Sequence, residues 1–376
     1  MGSRGGLVCL AAMALCGCAT SSEADSASAA SNQTSAGNGT TASAANATTA
    51  SASTGTAGGN GTGGSSATGG GSSGNGGGTA DGVVRFVAMG DGGEGNARQA
   101  QVASIVKAQC DSRGGCDFAL YLGDNIYDTG ADSVDDEQFQ TKFEIPYADL
   151  DFPFYVALGN HDYGGGGAGY EFWKGQVQVD YTGSSSKWTM PDRYYRMSHT
   201  EGGTSVDLFA LDTNAILYDY ETDAQRSWLQ YELAVSTATW KIAFGHHTYV
   251  SNGRHGNAGT YEGIPGIGPC DSGNLFGLPT GVCMKEFFDA DVCGKFDMYA
   301  CGHDHNRQWL QPTCGTEFVV SGTAAKSTYL EGQGTPTIFE DAVAGGFLLI
   351  EIQGTELTGW FYDENGNEEF TRTVTK

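Results

Sequence analysis

The seven histidines of this chain are spent unevenly. His303 and His305 stand one residue apart in CGHDHNRQ, and His246 and His247 are adjacent in GHHTYVSNGRHG, a stretch that also carries His255. His161 lies in GNHDY. Imidazole is both a metal ligand and a proton carrier near neutral pH. Oxygen donors recur in matching settings: Asp91 follows Gly90, Asp124 follows Gly123, and Asn160 follows Gly159. Together Asp91, Asp124, Asn160, His246, His303 and His305 exceed the four ligands that a tetrahedral zinc takes. They suit two cations sharing a carboxylate, roughly 3.5–4 Å apart. Tyr127, in GDNIYDTG, adds a hard phenolic oxygen that favours ferric iron over zinc or magnesium. Singly, a strand-end aspartate is a turn or helix cap and a tyrosine is a core aromatic. Jointly, the bland reading requires the same coincidence at five places.

Those five places share one setting. VVRFVAMG, DFALYLG, FPFYVALG, WKIAFG and FDMYACG are apolar runs of strand length, each closed by glycine and followed by a candidate ligand. Near-continuous apolar runs suit strands covered on both faces. Helical patterns fall between them. ARQAQVASIVKAQC puts Ala100, Ala103, Ile105 and Val106 along one face, and DAQRSWLQYELAVS puts Trp228, Leu229, Glu232 and Leu233 at helical spacing. Such alternation predicts a layered α/β architecture with ligands beyond the carboxyl ends of the strands. In extended chain, residues i and i+2 point the same way, so His303 and His305 face one centre and Asp304 turns aside.

GDGG, GDNIY, GNHD, GHH and GHDH resemble the five blocks of the calcineurin-like metallophosphoesterases. The tyrosine of GDNIY resembles the purple acid phosphatases, and GDNIYDTG, GNHDY and CGHDHNRQ are most similar to their small, mammalian-type tartrate-resistant group. The resemblance spans residues 83–376. It implies a four-layer α/β/β/α sandwich of two mixed sheets flanked by helices, and a cofactor of Fe(III) plus a divalent Fe, Zn or Mn. By position, Asp91, Tyr127 and His305 would hold the ferric ion, Asn160, His246 and His303 the divalent ion, and Asp124 would bridge them. His161 and His255 match substrate-facing catalytic histidines; His247 and Asp162 would support the ligands or face substrate.

The implied activity is hydrolysis of phosphomonoesters by a hydroxide held at the metals, with an imidazolium protonating the leaving alkoxide. An acidic optimum follows, since imidazole is protonated below about pH 6.5. Phosphodiester or phosphoprotein hydrolysis would use the same centre, and a tethered metal-binding surface module would keep the fold without turnover. Two positions depart from the family. Gly92 stands where a bulky residue, often Trp, is usual, and Thr248 stands where Pro is usual. A small Gly92 is expected to widen the cleft. YGGGGAGY (163–170) is expected to form a mobile loop over it, His199 to be a solvated surface residue, and Asp212 to play a structural part.

The rest of the chain reads as delivery. Arg4 and the apolar stretch Leu7 to Leu15 are too short for a membrane span and fit an export signal over 1–18. Leu15-Cys16-Gly17-Cys18 resembles a bacterial lipobox with Cys18 lipidated; an ordinary cleaved signal is the alternative. Residues 19–80, nearly all Ser, Ala, Thr, Gly and Asn, read as a disordered tether, leaving 81–376 as the catalytic domain. The protein is thus expected to be exported, as a periplasmic or cell-surface lipoprotein or a secreted protein. Its membrane contact would be through the lipid alone. A net charge of −25 argues against nucleic acid as a partner. Small phosphorylated substrates and a monomeric state are expected. Cys110–Cys116 and Cys270–Cys283 are plausible local disulfides, Cys293–Cys314 is a further pairing, and Cys301 in its apolar run reads as a buried thiol.

Overall fold

The computed structural model describes residues 82–260, 270 and 281–376. The chain divides into two units, Met1–Gly70 and Gly71–Lys376, and every described residue belongs to the second. The expected export signal with Cys18, the expected tether and most of residues 256–283 lie outside the described residues.

Each glycine-ended run is a strand, and each stops short of its glycine. Val84–Met89, Phe118–Leu122 and Phe154–Ala157 are parallel neighbours in one sheet. That sheet runs Glu368–Thr375, Glu356–Asp363, Gly346–Gln353, then those three, then Trp188–Thr189. Trp240–Phe244 and Met298–Cys301 are parallel neighbours in the other. It runs Thr337–Asp341, Arg307–Leu310, Glu317–Ser321, Met298–Cys301, Trp240–Phe244, Thr204–Ala210 and Tyr195–Glu201. Antiparallel hairpins at the outer edges make both sheets mixed. Helices flank them, giving the α/β sandwich.

The strands are apolar throughout because both faces are covered. Trp240, Ile242 and Phe244 join one core cluster and Ala243 the other; Met298 and Ala300 divide from Tyr299 and Cys301 in the same way. The second cluster also takes Leu229, Met284, Phe287 and Phe288 from the helices Thr222–Val235 and Gly281–Asp291. On the helix Ala97–Ser112, capped by Asn96 accepting from the Gln99 amide, the buried face is Gln99, Val102, Ala103, Val106 and Cys110. Ala100 is exposed, contrary to expectation. The helix is rotated so that Gln99 is buried, where its side chain donates to the Lys142 carbonyl at 2.6 Å and accepts from the Gly95 amide at 2.7 Å. Disulfides join Cys110–Cys116, Cys270–Cys283 and Cys293–Cys314, and Cys301 is a buried thiol.

His199 differs from the expectation of a solvated residue. It lies on Tyr195–Glu201, stacked on Phe118 at 4.3 Å, with Nε2 2.9 Å from the Tyr155 hydroxyl. Burial pulls its imidazole down to about 4. The unfolded chain therefore binds a proton near pH 6.5 that the folded chain refuses until about pH 4. Stability from this residue is present above pH 6.5 and is lost as pH falls through that window. Urea midpoints of wild type and His199→Phe at pH 7.5, 5.5 and 4 test it. The difference should move in the variant's favour on acidification, by about 3 kcal/mol in all; parallel pH dependences would refute it.

Candidate metal centre

The strand ends close on one another because glycine permits it. A Cβ on Gly302 would lie 2.3 Å from Asp91 Oδ2, and one on Gly123, at φ +86°, would lie 2.6 Å from His246 Nδ1. Asp91, Asp124 and His303 themselves hold left-handed backbone, at φ 59°, 54° and 70°. That conformation is costly for a side-chain-bearing residue and aims each side chain back across the strand ends.

The seven donor side chains meet in two linked groups. In one, the Tyr127 hydroxyl donates to Asp91 Oδ1 at 2.9 Å, and His305 Nε2 lies 3.2 Å from that hydroxyl and 3.3 Å from Asp91 Oδ1. In the other, His246 Nε2 lies 3.1 Å from Asn160 Oδ1 and 3.1 Å from His303 Nδ1. Asp124 joins them: its Oδ2 is 3.5 Å from His246 Nε2, and ligand atoms of Asp91, Asp124 and His305 all lie within 4.8 Å of one another.

Burial alone would raise both carboxyls. For Asp91, the charge and hydrogen bond of His305 and the charge of His246 more than reverse this. For Asp124, His246 and His161 hold the carboxyl well below its ordinary range. His246 is pulled down by burial but carried up to about 9 by Asp124 and Asp91. Tyr127 is pushed far up by burial and then by the two carboxylates. A buried pocket of two carboxylates, a phenol, an amide oxygen and three imidazole nitrogens fits cations, which would displace the protons of His246 and Tyr127.

A layer of buried polar groups holds these ligands. Asp162 accepts from the amides of Asn125, Ile126 and Gly159 and from the side chains of Asn125 and Gln178. It thus ties the Asp124 turn to the Asn160 turn; burial, then the Asp124 charge, raises it to about 6. His247 is buried behind the ligands, its Nδ1 2.8 Å from Thr213 Oγ1 and its ring 4.4 Å from that of His303. Thr213 Oγ1 also accepts the amides of His246 and His247 at 3.3 and 3.1 Å. Asp304, turned aside from the centre, accepts the Ser251 hydroxyl and the His255 amide. It thereby fixes the segment that sets His255 against His303, their rings 3.8 Å apart. His161 donates its amide to Asp124 Oδ1 at 2.9 Å, and its Nδ1 lies 2.8 Å from the Asp128 carbonyl. Sequence reasoning passed over Thr213 and the holding role of Asp304. Only the cost of burying an unpaired polar group could have marked them.

Two expectations need correction. A side chain at position 92 would meet the Tyr121 and Tyr147 hydroxyls, each 2.6 Å from its Cβ, so the tyrosines take that volume and Gly92 does not widen the cleft. The glycine loop after Tyr163 is tied down. Asn214 and Tyr218 donate to the Gly169 and Ala168 carbonyls, Glu171 accepts the Gly165 amide, and Asn160 Nδ2 donates to the Gly167 carbonyl at 2.7 Å. The last bond turns the Asn160 oxygen toward His246. Thr248 donates to the Gly256 carbonyl, fastening the His255 loop. Asp212 caps the helix Thr213–Leu217 and accepts the Tyr163 hydroxyl, a structural part.

Residues 84–307 match the calcineurin-like phosphoesterase family. Human tartrate-resistant acid phosphatase type 5 is 29% identical over 332 residues, 77% of this chain and 91% of that protein. Purple acid phosphatase 4 of Arabidopsis thaliana is 28% identical over 309 residues, 76% of this chain and 82% of that protein. Among solved structures, GAP50, the anchor in the inner membrane complex of Plasmodium, superposes with a TM-score of 0.60 at 18% identity, covering 78% of this chain and 89% of that one.

Proposed function

Because the chain belongs to the calcineurin-like phosphoesterase family, we propose that it is an exported acid phosphatase of the purple type, cleaving phosphoric monoesters at a centre of Fe(III) and a divalent Fe, Zn or Mn. The observation that carries this reading is the Tyr127 hydroxyl set among Asp91, His305 and the rest of the cluster. The names of the similar human and plant proteins support the monoester reading.

Asp91, Tyr127 and His305 would hold iron, Asn160, His246 and His303 the second cation, and Asp124 both. When bound, the two cations would supply the charge that holds phosphate oxygens and acidifies a water. The chain supplies the rest. The Asp128 carbonyl can only accept, so His161 Nδ1 keeps its hydrogen and Nε2 is the atom left to carry a proton to the leaving oxygen. His255, seated against His303, would orient the phosphate. His247, Asp162, Thr213 and Asp304 keep the ligand geometry from relaxing.

A non-catalytic surface role is the second reading, because the chain shares the fold of a protein described as an anchor. The complete donor set and both flanking histidines favour catalysis over it. For delivery we propose export by residues 1–18, lipidation at Cys18, and a tether over 19–80 leading to a monomeric catalytic domain. The three disulfides suit an oxidising compartment.

Purified full-length protein should be purple through tyrosinate-to-iron charge transfer and contain at least one iron per chain. It should turn over 4-nitrophenyl phosphate faster at pH 5 than at pH 7.5 and in preference to the bis(4-nitrophenyl) diester. Iron-loaded protein without visible colour, or without turnover, would sink the reading. Mass spectrometry of the mature N-terminus separates a lipidated Cys18 from an ordinary cleavage.

A further inference from the structure

Lys326 stands beside the centre without a part in the chemistry above. Its Nζ lies 3.3 Å from the centroid of the Tyr127 ring and pairs with the Glu94 carboxylate. The surrounding segment is fastened on both sides. The Ala324 amide donates to the Gly90 carbonyl at 3.2 Å, and the Thr328 amide to the His305 carbonyl at 2.8 Å. Asn96 Nδ2 donates to the Ala325 carbonyl at 2.9 Å, and Arg98 to Ser327 Oγ at 3.2 Å. The elements that present Asp91 and His305 therefore also set where Lys326 sits.

An ammonium over an aromatic face draws on the ring's π electrons, and the attraction grows when the ring carries phenolate charge. We propose that Lys326 is a positioning residue for the electrons of Tyr127, setting how strongly that oxygen donates to iron. The idea rests on the reading that Tyr127 holds iron. The lysine lowers the energy of the phenolate electrons. Charge transfer from ring to iron then costs more energy, and the iron is more easily reduced. Glu94 opposes this by partly cancelling the ammonium charge. In a chain of net charge −25, this pair gives the ligand a local field that the acidic surface does not.

The test is the visible spectrum and reduction potential of the iron-loaded full chain, each read at saturating metal. Lys326→Met should move the charge-transfer band to longer wavelength, on the order of tens of nanometres, and lower the potential. Glu94→Gln should move the band to shorter wavelength, and Lys326→Arg should stay near wild type. Opposite shifts from the two partners are not what a merely structural contact would give. If wild type is purple and neither Lys326→Met nor Glu94→Gln moves the band or the potential, the proposal is wrong and the iron reading stands. If wild type binds iron without colour, both fall.

Discussion

Asp124→Asn should lower kcat/KM for phosphomonoesters by about 10³-fold or more and leave the protein short of both metals. Asp124 is the donor that touches both halves of the cluster, with Oδ1 accepting the His161 amide and Oδ2 facing His246 Nε2. An asparagine presents one oxygen and one N–H₂ group. If the oxygen keeps the His161 amide, a donor faces His246 and the second cation loses its anionic ligand. If the amide is turned over, two donors collide at His161. Metal catalysis supplies several kcal/mol and each 1.36 kcal/mol is tenfold in rate, which sets the expected scale. The fold should survive. Asp162, raised to about 6 by burial first and then by the Asp124 charge, loses an unfavourable neighbour in the variant. His246 and His161, however, lose the carboxylate that they hold well below its ordinary range, which outweighs that relief, so thermal melting without metal should be lower. Metal analysis and steady-state kinetics on the same preparation decide the matter. A variant retaining both metals in full and more than a tenth of the rate would remove Asp124 from the role given to it.

The glycine-ended runs were readable because a buried strand feeding a buried site has few ways to be written. It must be apolar on both faces, short, and closed by a residue without a side chain where the next strand end approaches. What stayed hidden was polar and distant in sequence. Thr213 holds amides more than thirty residues on, and Asp304 holds Ser251 and His255. Nothing in either local sequence marks the partner. The edge strand Glu368–Thr375 was also unmarked, since its exposed Glu and Thr positions dilute the apolar signal. Gly92 misled because a small residue was assumed to leave space in the cleft. The missing side chain points inward, into volume that Tyr121 and Tyr147 occupy.

The acidic composition does not oppose an anionic substrate. Charges more than roughly 10 Å away are screened at 0.1 M salt. Inside the cluster, cations would outweigh Asp91, Asp124 and the phenolate. Long-range steering of phosphate would still be weak, so specificity must come from groups within contact of the ester.

His161 and His255 should separate in kinetics because the structure anchors them differently. The His161 ring is fixed through Nδ1 to the Asp128 carbonyl and stands 4.5 Å from the Tyr127 ring, leaving Nε2 to hold a proton. His255 is held through its backbone by Asp304 and lies against His303. General acid catalysis contributes typically 10²–10⁴-fold, and only when the leaving group needs the proton. His161→Asn should therefore lower kcat for an alkyl phosphate by about that factor while costing 4-nitrophenyl phosphate, whose leaving group departs unaided, far less. His255→Asn should raise KM for both esters alike, the mark of lost ground-state binding. Metal content and the visible band should be unchanged in each variant, which separates proton delivery from damage to the centre. Equal losses on the alkyl and nitrophenyl esters in His161→Asn, with metals intact, would mean that the leaving oxygen takes its proton from elsewhere, His255 or water, and the anchoring by Asp128 would need another explanation.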